Sequence, residues 1–238
     1  MNQDRARWGR IFAPILAGAS LRDRLIACAG ALIGIALTGL ICARLPATVA
    51  AAPFLLATMG ASAILLFAVP ASPMAQPWPI IGGNIVSAVV GVFVTRLVHQ
   101  PMLAAGLAVS GAIFAMSLLR CFHPPGGSVA LTAVFGGPAM LSAGYGFALA
   151  PVAINSLVLV LAGWLFHRFS GHSYPHRAIV APGSVHPAVF HPDAIDQALA
   201  DLGETFDVSR EDLDLLLQRA AFHDREGRIA AARDRRRG

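Results

Sequence analysis

Apolar positions in this chain come in long runs, not in the alternation or heptads of a water-soluble fold. Leu25–Ala43 is closed by Arg44-Leu45-Pro46, and Thr48–Val69 is interrupted by Pro53 and Gly60 and closed by Pro70. The stretch from Pro70 to Pro79 (PASPMAQPWP) is too rich in proline for a helix interior and predicts a turn. Ile80–Val98 and Met102–Leu119 follow, joined at His99-Gln100-Pro101; then come the short Ser128–Met140 and the long Gly144–Phe166. A helix crosses a bilayer in about 20 apolar residues. The pattern predicts an all-α, polytopic helical membrane protein with about six transmembrane segments and a short helical cytoplasmic tail.

After Phe166 the material changes. Residues 1–24 are read as a cytoplasmic N-terminal segment, 25–168 as the membrane domain, 169–192 as a Pro/His-rich linker and 193–238 as the tail. In the tail, Ile195, Leu199 and Leu202 share a helix face that Gly203 ends. Ser209, with Asp212 three residues on, caps a second helix whose apolar side is Leu213, Leu216, Leu217 and Ala220. Arg5, Arg7, Arg10, Arg22 and Arg24 precede the first span and Arg168 and Arg177 follow the last, which places both termini in the cytoplasm. That requires an even number of crossings. Six fit if Gly126–Met140 crosses; five leave the tail outside if it re-enters, and four restore parity if the second segment re-enters too.

Charge narrows the chemistry. The chain has no lysine, and between Asp23 and Asp193 it has neither Asp nor Glu. Intramembrane carboxylates serve cation paths and proton relays, so a small anion or a neutral solute fits better. No acid–base pair, nucleophile elbow or metal-ligand spacing appears in the spans, which predicts no enzyme, no cofactor and no metal; no feature points to nucleic acid. Cys28, Cys42 and Cys121 lack any CxxC spacing. Small-residue faces around Gly82-Gly83 and Gly106–Gly111 predict a homodimer.

The turn Arg120-Cys121-Phe122-His123-Pro124-Pro125-Gly126-Gly127-Ser128 concentrates the polar residues. Two prolines end the preceding helix, two glycines let the backbone turn, and Ser128 can cap the next helix. A helix start at membrane depth offers amide hydrogens and a positive dipole end to an anion, with Arg120 and His123 beside it. Gly60-Ala61-Ser62-Ala63-Ile64-Leu65 resembles Gly126-Gly127-Ser128-Val129-Ala130-Leu131. Each lies in the middle segment of a three-segment half, as in a 3+3 inverted repeat with interrupted middle helices. The expected substrate site is thus Gly60, Ala61, Ser62, Arg120, His123, Gly126, Gly127 and Ser128. Two plainer readings stand beside it: Arg120 as a helix-end anchor, and the glycines as packing positions.

The HPPGGS turn (123–128), together with GASAILLFAVPASPMAQPWPIIGGNIVSAVVGV from Gly60 to Val92, resembles the HPP family of integral membrane proteins, over about residues 20–170. Bacterial members look like this membrane domain followed by a paired CBS domain, before which this chain stops. The resemblance implies a multi-pass protein of the bacterial inner membrane, related to plastid nitrite transporters. The expected function is a transporter or channel-like facilitator for a small inorganic anion, nitrite first. The alternative is a regulatory or sensory membrane module that binds a ligand and signals through its tail.

Overall fold

The computed structural model describes residues 20–44, 56–178, 193–203 and 206–235. Pro53, the arginines before Ser20 and most of the 169–192 linker lie outside them. The described residues are helical, with no strand among them. In chain order the elements are α1 (Leu21–Cys42), α2 (Thr58–Ala68), a 3₁₀ turn (Pro73–Ala75), α3 (Pro77–Leu97), α4 (Pro101–Leu118), α5 (Gly126–Phe135), α6 (Pro138–Ala143), a π segment (Ala148–Ala153), α7 (Ile154–Ser170), α8 (Ala194–Leu202) and α9 (Arg210–Arg235).

Four stretches are long and apolar enough to cross a membrane: α1, α3, α4 and the π segment with α7. Their large apolar side chains face outward, as with Leu32, Phe114 and Phe169, while Ser62, Asn84, Ser87, His123, Asn155 and Ser156 are buried. This inside-out arrangement is what a lipid solvent selects, because polar groups find partners only inside the protein. The chain is a polytopic helical membrane protein.

Several boundaries differ from the pattern in the sequence, among them the end of the Ser128–Met140 segment, which stops at Phe135 before a separate helix begins at Pro138. α3 begins at Pro77, inside the proline-rich stretch, because prolines in a helix's first turn give up amides that would lack partners anyway. The last span breaks at Ala150, which is extended (φ −136°, ψ 116°) ahead of Pro151. Ser128 does not cap α5: the helix starts at Gly126, and Ser128 is its third residue and exposed.

α2 and α5 are half-length. At 11 and 10 residues they span about 15 Å each at 1.5 Å per residue, half a hydrocarbon core. Their directions follow from their neighbours. At the start of α2, the Leu56 amide donates to Asn155 Oδ1 at 3.1 Å. At its end, the Leu66 carbonyl bonds His167 Nε2 at 2.9 Å. α2 therefore runs parallel to α7. α5 runs parallel to α3: Gly126 lies against Ser87 at α3's middle, and Gly91 against Ala130 and Ala133. α3 and α7 are antiparallel, since Gln76, at the head of α3, meets His176, just past the end of α7. The two half-helices thus run in opposite directions. Gly30 of α1 packs near Phe166, and Gly34 near Leu159, so the membrane domain begins and ends at one face.

Close approach of α3, α4 and α5 rests on small residues. The buried stripe of α4 is Ala104, Ala108, Ala112 and Met116, each four residues apart. A Cβ on Gly83 would lie 2.6 Å from the Cys121 carbonyl oxygen and 2.7 Å from His123 Cβ. Small faces let backbones pack closely where lipid removes the hydrophobic drive between helices.

Candidate functional site

α4 ends in a Schellman turn: the Arg120 amide donates to Ser117 O at 3.3 Å and the Cys121 amide to Met116 O at 2.9 Å. Arg120 occupies the left-handed position where glycine is usual, at φ 53°. Its side chain is exposed. The turn reverses the chain so that Cys121 and His123 pack against Gly82 and Gly83 of α3.

Pro124 and Pro125 then shape the start of α5. Pro125 already has helical dihedrals (φ −58°, ψ −21°). The Gly126 amide donates to the His123 carbonyl at 2.9 Å, Gly127 to Pro124 at 3.0 Å, and Ser128 to Pro125 at 3.0 Å. The two residues before Gly126 are prolines and have no amide hydrogen to strand. The turn is a helix start whose amide hydrogens are all engaged, which removes most of the cost of burying a helix end. The free amide array expected at 126–128 is not presented.

His123 is wholly buried and held at both ring nitrogens. Nδ1 lies 2.9 Å from the Met74 carbonyl oxygen and Nε2 2.9 Å from Ser62 Oγ. A carbonyl only accepts, so the bonding requires the proton on Nδ1, and Ser62 donates its hydroxyl hydrogen to Nε2. Ser62 of α2 and His123 at the head of α5 thereby join the two half-helices. Of the expected site residues, the structure brings these two together and places Gly126 near them, against Met116, Gly83 and Ser87. Gly60, Ala61, Arg120 and Ser128 are exposed, and Gly127 is half-buried, with Val109 Cγ1 3.9 Å from where a Cβ would lie.

The sequence reading passed over the polar residues of α3 and α7. Ser87 Oγ sits beside Gly126, and its hydroxyl donates only to the Met116 thioether, at 3.5 Å. Sulfur is a weak acceptor, so this donor is easily re-aimed. Asn84 Nδ2 donates to Ser156 Oγ at 3.1 Å, and Asn84 Oδ1 is buried without a partner. Asn155 bonds the Leu56 amide and, at 3.4 Å, Cys42 Sγ. The signal that would have found them is simple: Asn84 and Asn155 are the amide side chains within α3 and α7, where each needs a partner to stay buried.

The loop that holds His123 also carries the tail. Ser72 Oγ accepts from the Met74 amide at 3.1 Å and donates to the Asp207 carboxylate at 2.8 and 2.9 Å. Tyr174 OH donates to Ala75 O at 3.0 Å, the His176 amide to Gln76 Oε1 at 2.8 Å, and His176 Nε2 meets Asp212 at 2.9 Å. Burial works against the charge on Asp212, but hydrogen bonds from His176 and Ser209 hold its carboxyl below the ordinary 3.8. Among the described residues no cluster of His, Cys, Asp and Glu could hold a metal ion.

Comparison with known proteins agrees with this architecture. Two transmembrane proteins of Dictyostelium discoideum are similar, one 40% identical over 121 residues and one 37% identical over 126. The matches cover 49% and 51% of this chain but 39% and 44% of those proteins, so the chain matches less than half the length of each. No solved structure matches. The profile of the HPP transmembrane region matches residues 16–175, taking in both half-helices, the loop at Met74 and the His123 turn. The chain therefore belongs to the HPP transmembrane family.

Proposed function

We propose that the protein is a transporter or channel-like facilitator for a small inorganic anion, nitrite foremost, in a bacterial inner membrane with both termini cytoplasmic. The observation that supports this best is the pair of oppositely running half-helices joined by Ser62 and His123 inside a domain without carboxylates. Interrupted helices with polar groups in the membrane mark solute sites in many transporters. In this reading the solute is met by hydroxyl donors and not by free amides. Ser87, held only by a thioether, offers its hydrogen beside the positive end of the α5 dipole, and Arg120 draws anions toward the turn from the surface. Such weak contacts suit an ion that must also leave. Nitrite uptake into proteoliposomes holding the purified protein tests this. Uptake no faster than in empty liposomes, across several pH values and with an applied potential, rules it out.

A second reading is favoured by the docking of Asp207 on Ser72 of the membrane domain and of Asp212 on His176 just past its last helix: a sensory module that binds a solute and reports it through α9. Saturable nitrite binding without uptake would select that reading.

A further inference from the structure

Inside a bilayer a buried polar group without a partner is costly. Among the described residues two buried side-chain atoms are in that position, Thr58 Oγ1 and Asn84 Oδ1, and the second has neighbours with bonds to spare. Asn84 Nδ2 donates to Ser156 Oγ, and Ser156 makes no other hydrogen bond. A helical hydroxyl often donates to the carbonyl four residues back, as Thr38 does to Gly34 at 2.7 Å and Thr95 to Gly91 at 2.8 Å. For Ser156 that residue is Val152, in the π segment interrupted at Ala150, and the Ser156 hydrogen stays idle. Ser87, three residues on from Asn84 and so its neighbour on α3, donates only to the Met116 thioether. Asn84, Ser87 and Ser156 are each 0% exposed. Three uncharged groups with unused bonding capacity thus lie together at the middle of α3, where two helices begin: Gly126 of α5 is beside Ser87, and Ser156 is in the first turn of α7. We propose that Asn84 is the residue that reads the solute: its carboxamide, held from behind by Ser156, presents both Nδ2 hydrogens to a small oxyanion that Ser87 meets from the side. This deepens the transport reading above and rests on it for the identity of the solute.

A carboxamide suits an anion in one of its two settings. In the structure Nδ2 is engaged by Ser156 and Oδ1 is the unpartnered end; an oxygen there repels a negative solute. A half-turn about χ2 exchanges the two at little cost, because that torsion is broad and two-fold. The idle Ser156 hydrogen then donates to Oδ1, and both Nδ2 hydrogens are left for the solute. No backbone atom moves. Ser156 serves either setting because a hydroxyl both donates and accepts, whereas alanine there serves neither. α5 and α7 run in opposite directions, so their positive dipole ends converge at this level and favour an anion without a fixed charge in contact with it. Neutral donors of this kind hold an ion loosely enough for it to leave.

The asparagines of this chain are Asn2, Asn84 and Asn155, so nitrogen-15 asparagine labelling gives few side-chain amide signals, and those lost in Asn84→Leu belong to Asn84. The full chain in lipid nanodiscs is titrated with sodium nitrite, with sodium gluconate as the ionic-strength control. The Asn84 signals should move saturably with nitrite alone. Those of Asn155, bonded to the Leu56 amide, should stay in place and report an intact fold in every variant. Half-saturation should rise at least about fivefold in Ser156→Ala and in Ser87→Ala, the weight of one ordinary hydrogen bond. Nitrite uptake is measured on the same proteins, and Asn84→Leu should lose it. Asn84 signals that ignore nitrite while uptake proceeds overturn the assignment and leave the transport reading standing. Native half-saturation in Ser156→Ala also overturns it. Saturable movement without uptake upholds Asn84 as the ligand of the anion and removes the transport reading, and neither movement nor uptake removes both.

Discussion

Ser62 and His123 lie 61 positions apart in the chain, yet their side chains meet at 2.9 Å in the buried core. The contact ties the first half of the membrane domain to the second. Ser62→Ala would leave Nε2 a buried acceptor without a donor, a loss of about 1–3 kcal/mol. Denaturation in detergent measures it. The double variant Ser62→Ala/His123→Leu should lose less than the sum of the two single changes, because the second change removes the orphaned acceptor. Strict additivity would show that the bond contributes nothing.

Packing makes a graded prediction for the glycines. A Cβ on Gly83 meets the Cys121 backbone at 2.6 Å, and one on Gly126 meets Ser87 Oγ at 2.5 Å and the Gly83 oxygen at 3.2 Å. Gly83→Ala and Gly126→Ala should each destabilise by about 1–3 kcal/mol. Gly60→Ala, where nothing lies within 4 Å, should be neutral or slightly stabilising. Melting temperatures of the three variants in one detergent give the order, and equal effects would refute the close approach of α3 to the turn.

Arg120 pays for its place with backbone strain. At φ 53° a non-glycine residue is disfavoured by roughly 1 kcal/mol or more, and glycine is the usual occupant of this helix-ending position. Arg120→Gly should therefore raise thermal stability. If nitrite uptake falls in the same variant, the guanidinium serves the solute; if uptake is unchanged, Arg120 is a surface anchor.

Tail docking should depend on acid in a defined sense. The Asp212 carboxyl is held below its ordinary 3.8 in the folded chain. Its contribution is thus present above about 3.8 and lost as pH falls through the lowered value. Limited proteolysis between α8 and α9 should remain slow at neutral pH and quicken only in strong acid. Asp212→Asn should be cut faster already at neutral pH, and native-like resistance in that variant would exclude the His176 contact as the clamp.

Much of this was legible in the chain itself. Apolar runs, the absence of carboxylates from Arg24 to Pro192 and the shortness of Ser128–Met140 give a helical membrane protein. Ser209 caps α9 through its hydroxyl, as the spacing to Asp212 predicts. These are local matters, set by hydropathy over a turn or two and by a side chain's reach to its own backbone.

The prolines of the turn were legible as a helix break, but not as the reason the new helix start leaves no amide unpaired; that depends on Pro125 adopting helical dihedrals. The partners of His123 were not legible at all. Which face Ser62 presents, how far the Pro70–Gln76 loop folds under the bundle, and that Met74 offers a carbonyl to the ring follow from the rotational setting of α2 against α5. That setting comes from Leu66 and Phe67 of α2 packing on Gly163, Gly30 and Gly34, and from the turn at His123 packing on Gly83 of α3. Sequence determined which groups must find partners inside a bilayer; only the tertiary structure decided which partners they found, because in lipid an unpaired polar group is costly wherever it lies, while the packing of helices determines which two come within reach.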